Sequence, residues 1–174
     1  MGNQRFAAIA QERRASTLAR EAAEYPGPDL LIDPERCAVD VCAVDTPGGA
    51  KHLFIVYTNE KGAQYGYRAG PDMGGLFSLI ETHYGAYTAD TFQDYDPNAL
   101  TIRAMSGSAA QGKGDALANE LLHVQDAQIH YQLWGPNSNT VVSHLLVTCG
   151  IPRVTPVPSP VGWDAQLFDE SIEE

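Results

Sequence analysis

Cysteine is scarce: Cys37, Cys42 and Cys149 are the only three in 174 residues, and no two form a CxxC pair. That excludes a disulfide framework, and no Cys/His set has zinc spacing. Positive charge is scarce too, with 11 Lys and Arg against 22 Asp and Glu, a formal net charge of -11. Such a surface repels phosphate backbones and anionic lipid, which argues against nucleic acid as a partner and against polybasic membrane docking. No apolar run approaches the length of about 18 residues that a membrane span needs. The start, Met1-Gly2-Asn3-Gln4-Arg5, lacks the apolar core of a signal peptide, and Phe6 stands where myristoylation requires Ser or Thr. We therefore expect a chain made soluble in the cytoplasm, with export by a signal-peptide-independent route open to it. Gly70-Pro71-Asp72-Met73-Gly74-Gly75 is glycine-rich but lacks the spacing of a phosphate loop. No internal repeat is present, and no cofactor or metal is expected.

What is there suits one domain: 44% of the residues are hydrophobic, enough for a core at this length. Residues 2–24 read as a helix with Phe6, Ile9, Ala10 and Leu18 near helical spacing, and Tyr25-Pro26-Gly27-Pro28 stops it. Residues 1–28 are thus an N-terminal helix and linker, and 29–174 a single domain. Strands are expected over Cys37–Val44 and over the apolar run His52–Tyr57. Asn59-Glu60-Lys61-Gly62 supplies turn chemistry before a return strand, Ala63–Ala69. A tight loop centred on Glu60-Lys61 pairs His52 with Ala69 and makes Tyr67 its diagonal neighbour on the same face. Gly74–Thr82 is ambiguous, with a short helix as one reading, and Leu100–Met105 alternates as a further strand.

Asp115 can cap a helix running to about Leu133 before Gly135-Pro136 breaks it. Val141, Val142, Leu145, Leu146 and Cys149 trace a second amphipathic helix, stopped by Gly150 and Pro152. The proline-rich tail then runs extended, pinned by Trp163. The order predicts an α+β fold: a small antiparallel sheet with a central hairpin packed against two C-terminal helices, plus the N-terminal helix.

The sharpest local feature is Gly135-Pro136-Asn137-Ser138-Asn139-Thr140 at the start of the second helix. With Asn137 as N-cap, Ser138 falls in the first turn, where free backbone N–H groups and the positive dipole end favour an anion. A nucleophile there gains an activated oxygen and nearby oxyanion donors, and His52 is the candidate base. The same residue types also cap helices with no chemistry attached.

A His leading an apolar strand, a hairpin return and a later nucleophile at a helix N-terminus together resemble the circularly permuted papain-like superfamily. That group includes the lecithin–retinol acyltransferase proteins and cell-wall amidases and peptidases. The resemblance covers about 52–150 and implies His52 as the strand histidine, Ser138 as nucleophile, and Tyr67 or Gln64 as the residue that orients the ring. The family's thiol is here a hydroxyl, which is harder to activate and points to a serine-using or inactive branch. The implied chemistry is acyl transfer, with the oxyanion met by helix-start amides and the Asn137 or Asn139 side chains. The implied substrate is a peptide, cell-wall or acyl compound, and the implied setting that of an antibacterial effector.

Two other sets compete. Glu120-x-x-His123 with His130 at i+7 lies on one face of the long helix, either a metal half-site or a solvated polar face. Tyr84, Tyr87 and Tyr95 with Asp90, Asp94 and Asp96 would line a sugar or peptide groove, or simply cover the edge of the core. The alternative to an enzyme is a non-catalytic acidic protein, immunity- or inhibitor-like, that engages a basic protein partner.

Overall fold

The computed structural model describes residues 32–47, 49–72 and 78–168. The helix expected over 2–24 and its linker lie outside the described residues. Five strands, β1 (Ala38–Asp45), β2 (Lys51–Thr58), β3 (Gln64–Pro71), β4 (Ile80–Ala86) and β5 (Leu100–Ser106), precede two α-helices, α1 (Lys113–Asp126) and α2 (Ser138–Thr148). The strands form one sheet in the order β4-β3-β2-β1-β5, and every neighbouring pair is antiparallel. The class is α+β, as the element order predicts.

Strand alternation explains why β1 and β2 read as nearly continuous apolar runs. Val39, Val41, Ala43, Leu53, Ile55 and Tyr57 face α1 and α2, where Leu117, Leu121, Val124, Val141, Val142, Leu145 and Leu146 complete the main core. Cys42, Phe54 and Val56 face the other way and form a second, smaller cluster with Phe92. Both faces of the sheet centre are therefore covered. Cys37 belongs to the first cluster and Cys42 to the second, as their spacing on a regular strand requires.

The second cover comes from the connection between β4 and β5. These strands lie at opposite edges of the sheet, so residues 87–99 must cross it. Phe92 anchors the crossing against Gly66 of β3, where a Cβ would sit 2.3 Å from the ring; only glycine leaves room. Phe54 contacts both Phe92 and Tyr87, with ring centroids 5.6 and 5.8 Å apart.

Three local expectations need correction. The β2–β3 hairpin pairs Ile55 with Tyr67 and Thr58 with Gln64, one position away from the expected register. Asn59 is the reason: its Oδ1 accepts from the amides of Lys61 and Ala63, opening a longer loop than the tight turn assumed. One position of slip inverts the faces, so Tyr67 points to the main core and Arg68 to the side of Phe54. Secondly, β4 runs Ile80–Ala86, where part of the segment admitted a short helix. Thirdly, α1 ends at Asp126 and starts after Gly112, with Asp115 inside its first turn. Gln128 takes φ 51°, Ile80 N donates to Ile129 O, and Tyr131 N donates to Ser78 O. Pairing with the segment that leads into β4 thus draws residues 129–131 out of the helix. At the other end, Gly150 at φ 63° stops α2, and Trp163 is buried and packed under the Arg153 guanidinium at 4.8 Å.

Candidate functional site

The start of α2 is held from three directions. Asn137 is the N-cap: its Oδ1 accepts from Asn139 N (2.9 Å) and Thr140 N (3.3 Å), while Asn137 N donates to Thr140 Oγ1 at 3.1 Å. This is a reciprocal capping box. Asn137 Nδ2 donates to Leu133 O and Val161 O, so the side chain has both ends occupied. Gly162 packs so closely here that a Cβ would lie 2.2 Å from Asn137 Nδ2, and its φ of 78° independently favours glycine. Asn139 ties the helix to β2, accepting from Leu53 N (2.9 Å) and donating to Lys51 O (3.1 Å) and Val161 O (3.0 Å).

These bonds bring Ser138, the first residue of α2, to the beginning of β2. Ser138 Oγ lies 3.0 Å from His52 Nδ1. The other ring nitrogen, Nε2, lies 3.0 Å from Asp94 Oδ2, and Asp94 comes from the segment that crosses the sheet. A carboxylate only accepts, so in the neutral ring Nε2 carries the proton and the Nδ1 lone pair is left to the serine hydroxyl. The three groups form a Ser–His–Asp chain, with the two ring nitrogens exchanged relative to the common template. Arg68 closes the set. Its Nε is an ion-pair partner of Asp94 Oδ2 at 2.5 Å, off the line of a hydrogen bond, and an Arg68 η-nitrogen donates to Gln93 Oε1 at 2.6 Å.

Burial alone would push the Asp94 carboxyl up, but the His52 and Arg68 contacts outweigh it and hold it below the usual 3.8. Asp94 is therefore ionised at neutral pH. At the helix start the amides of residues 137, 139, 140 and 141 all have acceptors. The Ser138 amide has none among the described residues, which leaves it the one free donor beside Oγ. The site is tightly enclosed: Ser138 is 5% exposed and His52 9%.

His52, Ser138, Asn137 and Asn139 thus converge as the spacing implied. The two asparagine side chains have no donor left for an oxyanion, however, and serve to position Ser138. Tyr67 is not beside His52. It pairs with Ile55, stacks on Tyr84 at 5.9 Å and donates to Gly114 O, the direct result of the shifted register. Gln64 sits at the far end of the same hairpin, with its Nε2 on Thr58 Oγ1. Asp94 stands where an orienting residue belongs. The sequence marks Asp94 only as a groove residue, because a long crossing loop has no periodicity to say which strand it visits.

The face read as Glu120, His123 and His130 is divided. His130 lies beyond the helix and bridges to Leu79, while Glu120 Oε1 takes contacts from His123 (3.3 Å) and from His144 of α2 (2.6 Å). Among the described residues no group of three or more His, Cys, Asp or Glu is arranged to hold a metal ion, and no helix is long and apolar enough to cross a membrane. Comparisons with protein-family models, with curated proteins and with solved structures return no match.

Proposed function

We propose that the protein is a hydrolase or acyltransferase that cleaves an amide, peptide or ester bond through Ser138 and His52, with Asp94 orienting the ring. One observation carries the reading: Ser138 Oγ, at a helix N-terminus, is 3.0 Å from a His52 nitrogen whose opposite nitrogen is 3.0 Å from an ionised carboxylate. His52 Nδ1 takes the hydroxyl proton as Oγ attacks the carbonyl carbon. The Ser138 amide and the helix dipole meet the negative oxygen. The carbon–leaving-group bond then breaks, the imidazolium returns its proton to the leaving group, and water or a second acceptor releases the acyl group from the serine. The permuted papain-like resemblance accords with this order of His strand and nucleophile helix, with Asp94 in place of the Tyr67 or Gln64 it implied.

The second reading, a non-catalytic acidic protein that engages a basic partner, draws on the low exposure of Ser138 and on the capping bonds around it. Labelling with a fluorophosphonate, followed by intact mass and peptide mapping, separates the two. The expected result is a single adduct on Ser138, lost in Ser138→Ala and strongly reduced in His52→Ala. Equal labelling of folded wild type and Ser138→Ala, by this probe and by a smaller sulfonyl fluoride, would overturn the catalytic reading.

A further inference from the structure

On the sheet face away from the helices lies a cavity of about 330 Å³, open to solvent, whose wall includes Asp40, Gln64, Tyr87, Tyr95, Asp96 and Thr101. No Lys, Arg or His lines it. The volume is at the small end of ligand sites, which run from about 300 to 1,000 Å³, so it suits one extended side chain or a small amine.

Two aromatic rings and one unengaged carboxylate oxygen define its chemistry. Tyr87 and Tyr95 have ring centroids 4.9 Å apart at 50°, and the Tyr87 hydroxyl donates to Asp96 O at 3.2 Å, which fixes the pair to the loop. Asp96 Oδ1 accepts from Asn98 N at 2.8 Å, while Oδ2 has no partner among the described residues. Asp40 is already matched by Arg103, through Nε at 2.5 Å and a terminal nitrogen at 3.1 Å, so its carboxylate is held rigid and balanced. The charge left in the wall is that of Asp96, in a lining that also holds the Tyr87 and Tyr95 rings, within a chain whose net charge is -11. Arg103, the cation at this wall, is engaged by Asp40, and a purely apolar group would strip water from Asp96 without replacing it.

We propose that this cavity binds an organic cation, the ammonium or guanidinium end of a lysine or arginine side chain presented by a peptide. The site is separate from Ser138 and stands whether or not that serine reacts.

The test is a ¹⁵N–¹H NMR titration with the Nα-acetyl methylamides of lysine and arginine, and with the norleucine analogue as the uncharged shape match. Wild type, Tyr95→Ala, Asp96→Asn and Ser138→Ala are compared. Saturable shifts centred on Tyr87, Tyr95 and Asp96 are expected for the two cations and not for norleucine. Affinity is expected to fall about 3- to 10-fold in Tyr95→Ala and in Asp96→Asn, and to stay unchanged in Ser138→Ala. Asp96→Asn keeps the side-chain shape, so it remains informative should Tyr95→Ala disturb the loop. Equal response to norleucine, or non-saturating shifts scattered over the acidic surface, would each overturn the proposal. Loss of fluorophosphonate labelling bears only on Ser138 and leaves this result standing.

Discussion

Replacing Asp94 by Asn keeps the side-chain shape but removes the charge that His52 and Arg68 share. Asp94 and Arg68 retain 15% and 17% side-chain exposure. Breaking one partner out of a fully buried pair costs about 3–5 kcal/mol, chiefly because the other charge is left unpaired. Residual solvent contact reduces that, and we expect about 2–3 kcal/mol for Asp94→Asn at neutral pH. The penalty comes from the stranded guanidinium, so adding Arg68→Met is expected to recover about half of it. The pH dependence has a fixed sign. In the folded chain the Asp94 carboxyl titrates below 3.8, its unfolded value, so its contribution is complete above 3.8 and is lost as pH falls through the folded value. The gap between wild type and Asp94→Asn is therefore expected to persist down to about pH 3.8 and to close as pH falls further, toward the folded value. Urea denaturation at a series of pH values, followed by the fluorescence of buried Trp163, measures it. A single variant within about 0.5 kcal/mol of wild type, or a double variant no more stable than the single, would refute the argument.

Two further substitutions test how the site is held. Gly66→Ala drives a methyl into the Phe92 ring and is expected to cost about 1–3 kcal/mol in the same assay, with Phe92→Leu in the same chain relieving part of it. Asn139→Asp sets a carboxylate oxygen against Lys51 O and Val161 O, at a predicted cost of about 2–4 kcal/mol at neutral pH. The protonated acid can donate one of those bonds, so that loss is expected to shrink on acidification, seen as a rising urea midpoint relative to wild type.

The parts that were legible in the sequence are those with a local signature. The β1 and β2 runs, the Asn137 cap and the Gly150 stop each follow from a few adjacent residues. His52 and Ser138 were found for the same reason, one leading a strand and the other opening a helix. Tyr67 was misplaced because a hairpin register depends on loop length, and Asn59 accepts two loop amides that composition alone does not reveal. The end of α1 and the strand β4 escaped because each is settled by the other: residues 129–131 pair with 78–80 across a long separation. Asp94 was the hardest, since its role depends on the path of a crossing loop anchored by Phe92 in the space left by Gly66.

The Ser–His–Asp chain also has a history within each molecule's folding. His52 is 42 positions from Asp94 and 86 from Ser138, and Arg68 arrives from the neighbouring strand, β3. Contacts of that separation carry the largest loop-closure penalties and form only once the sheet and the last helix are in place. A nascent or partly folded chain holds a plain serine hydroxyl, with no imidazole near it. Whatever reactivity Ser138 possesses is thereby withheld until the fold is finished, and the order of assembly acts as its safety catch.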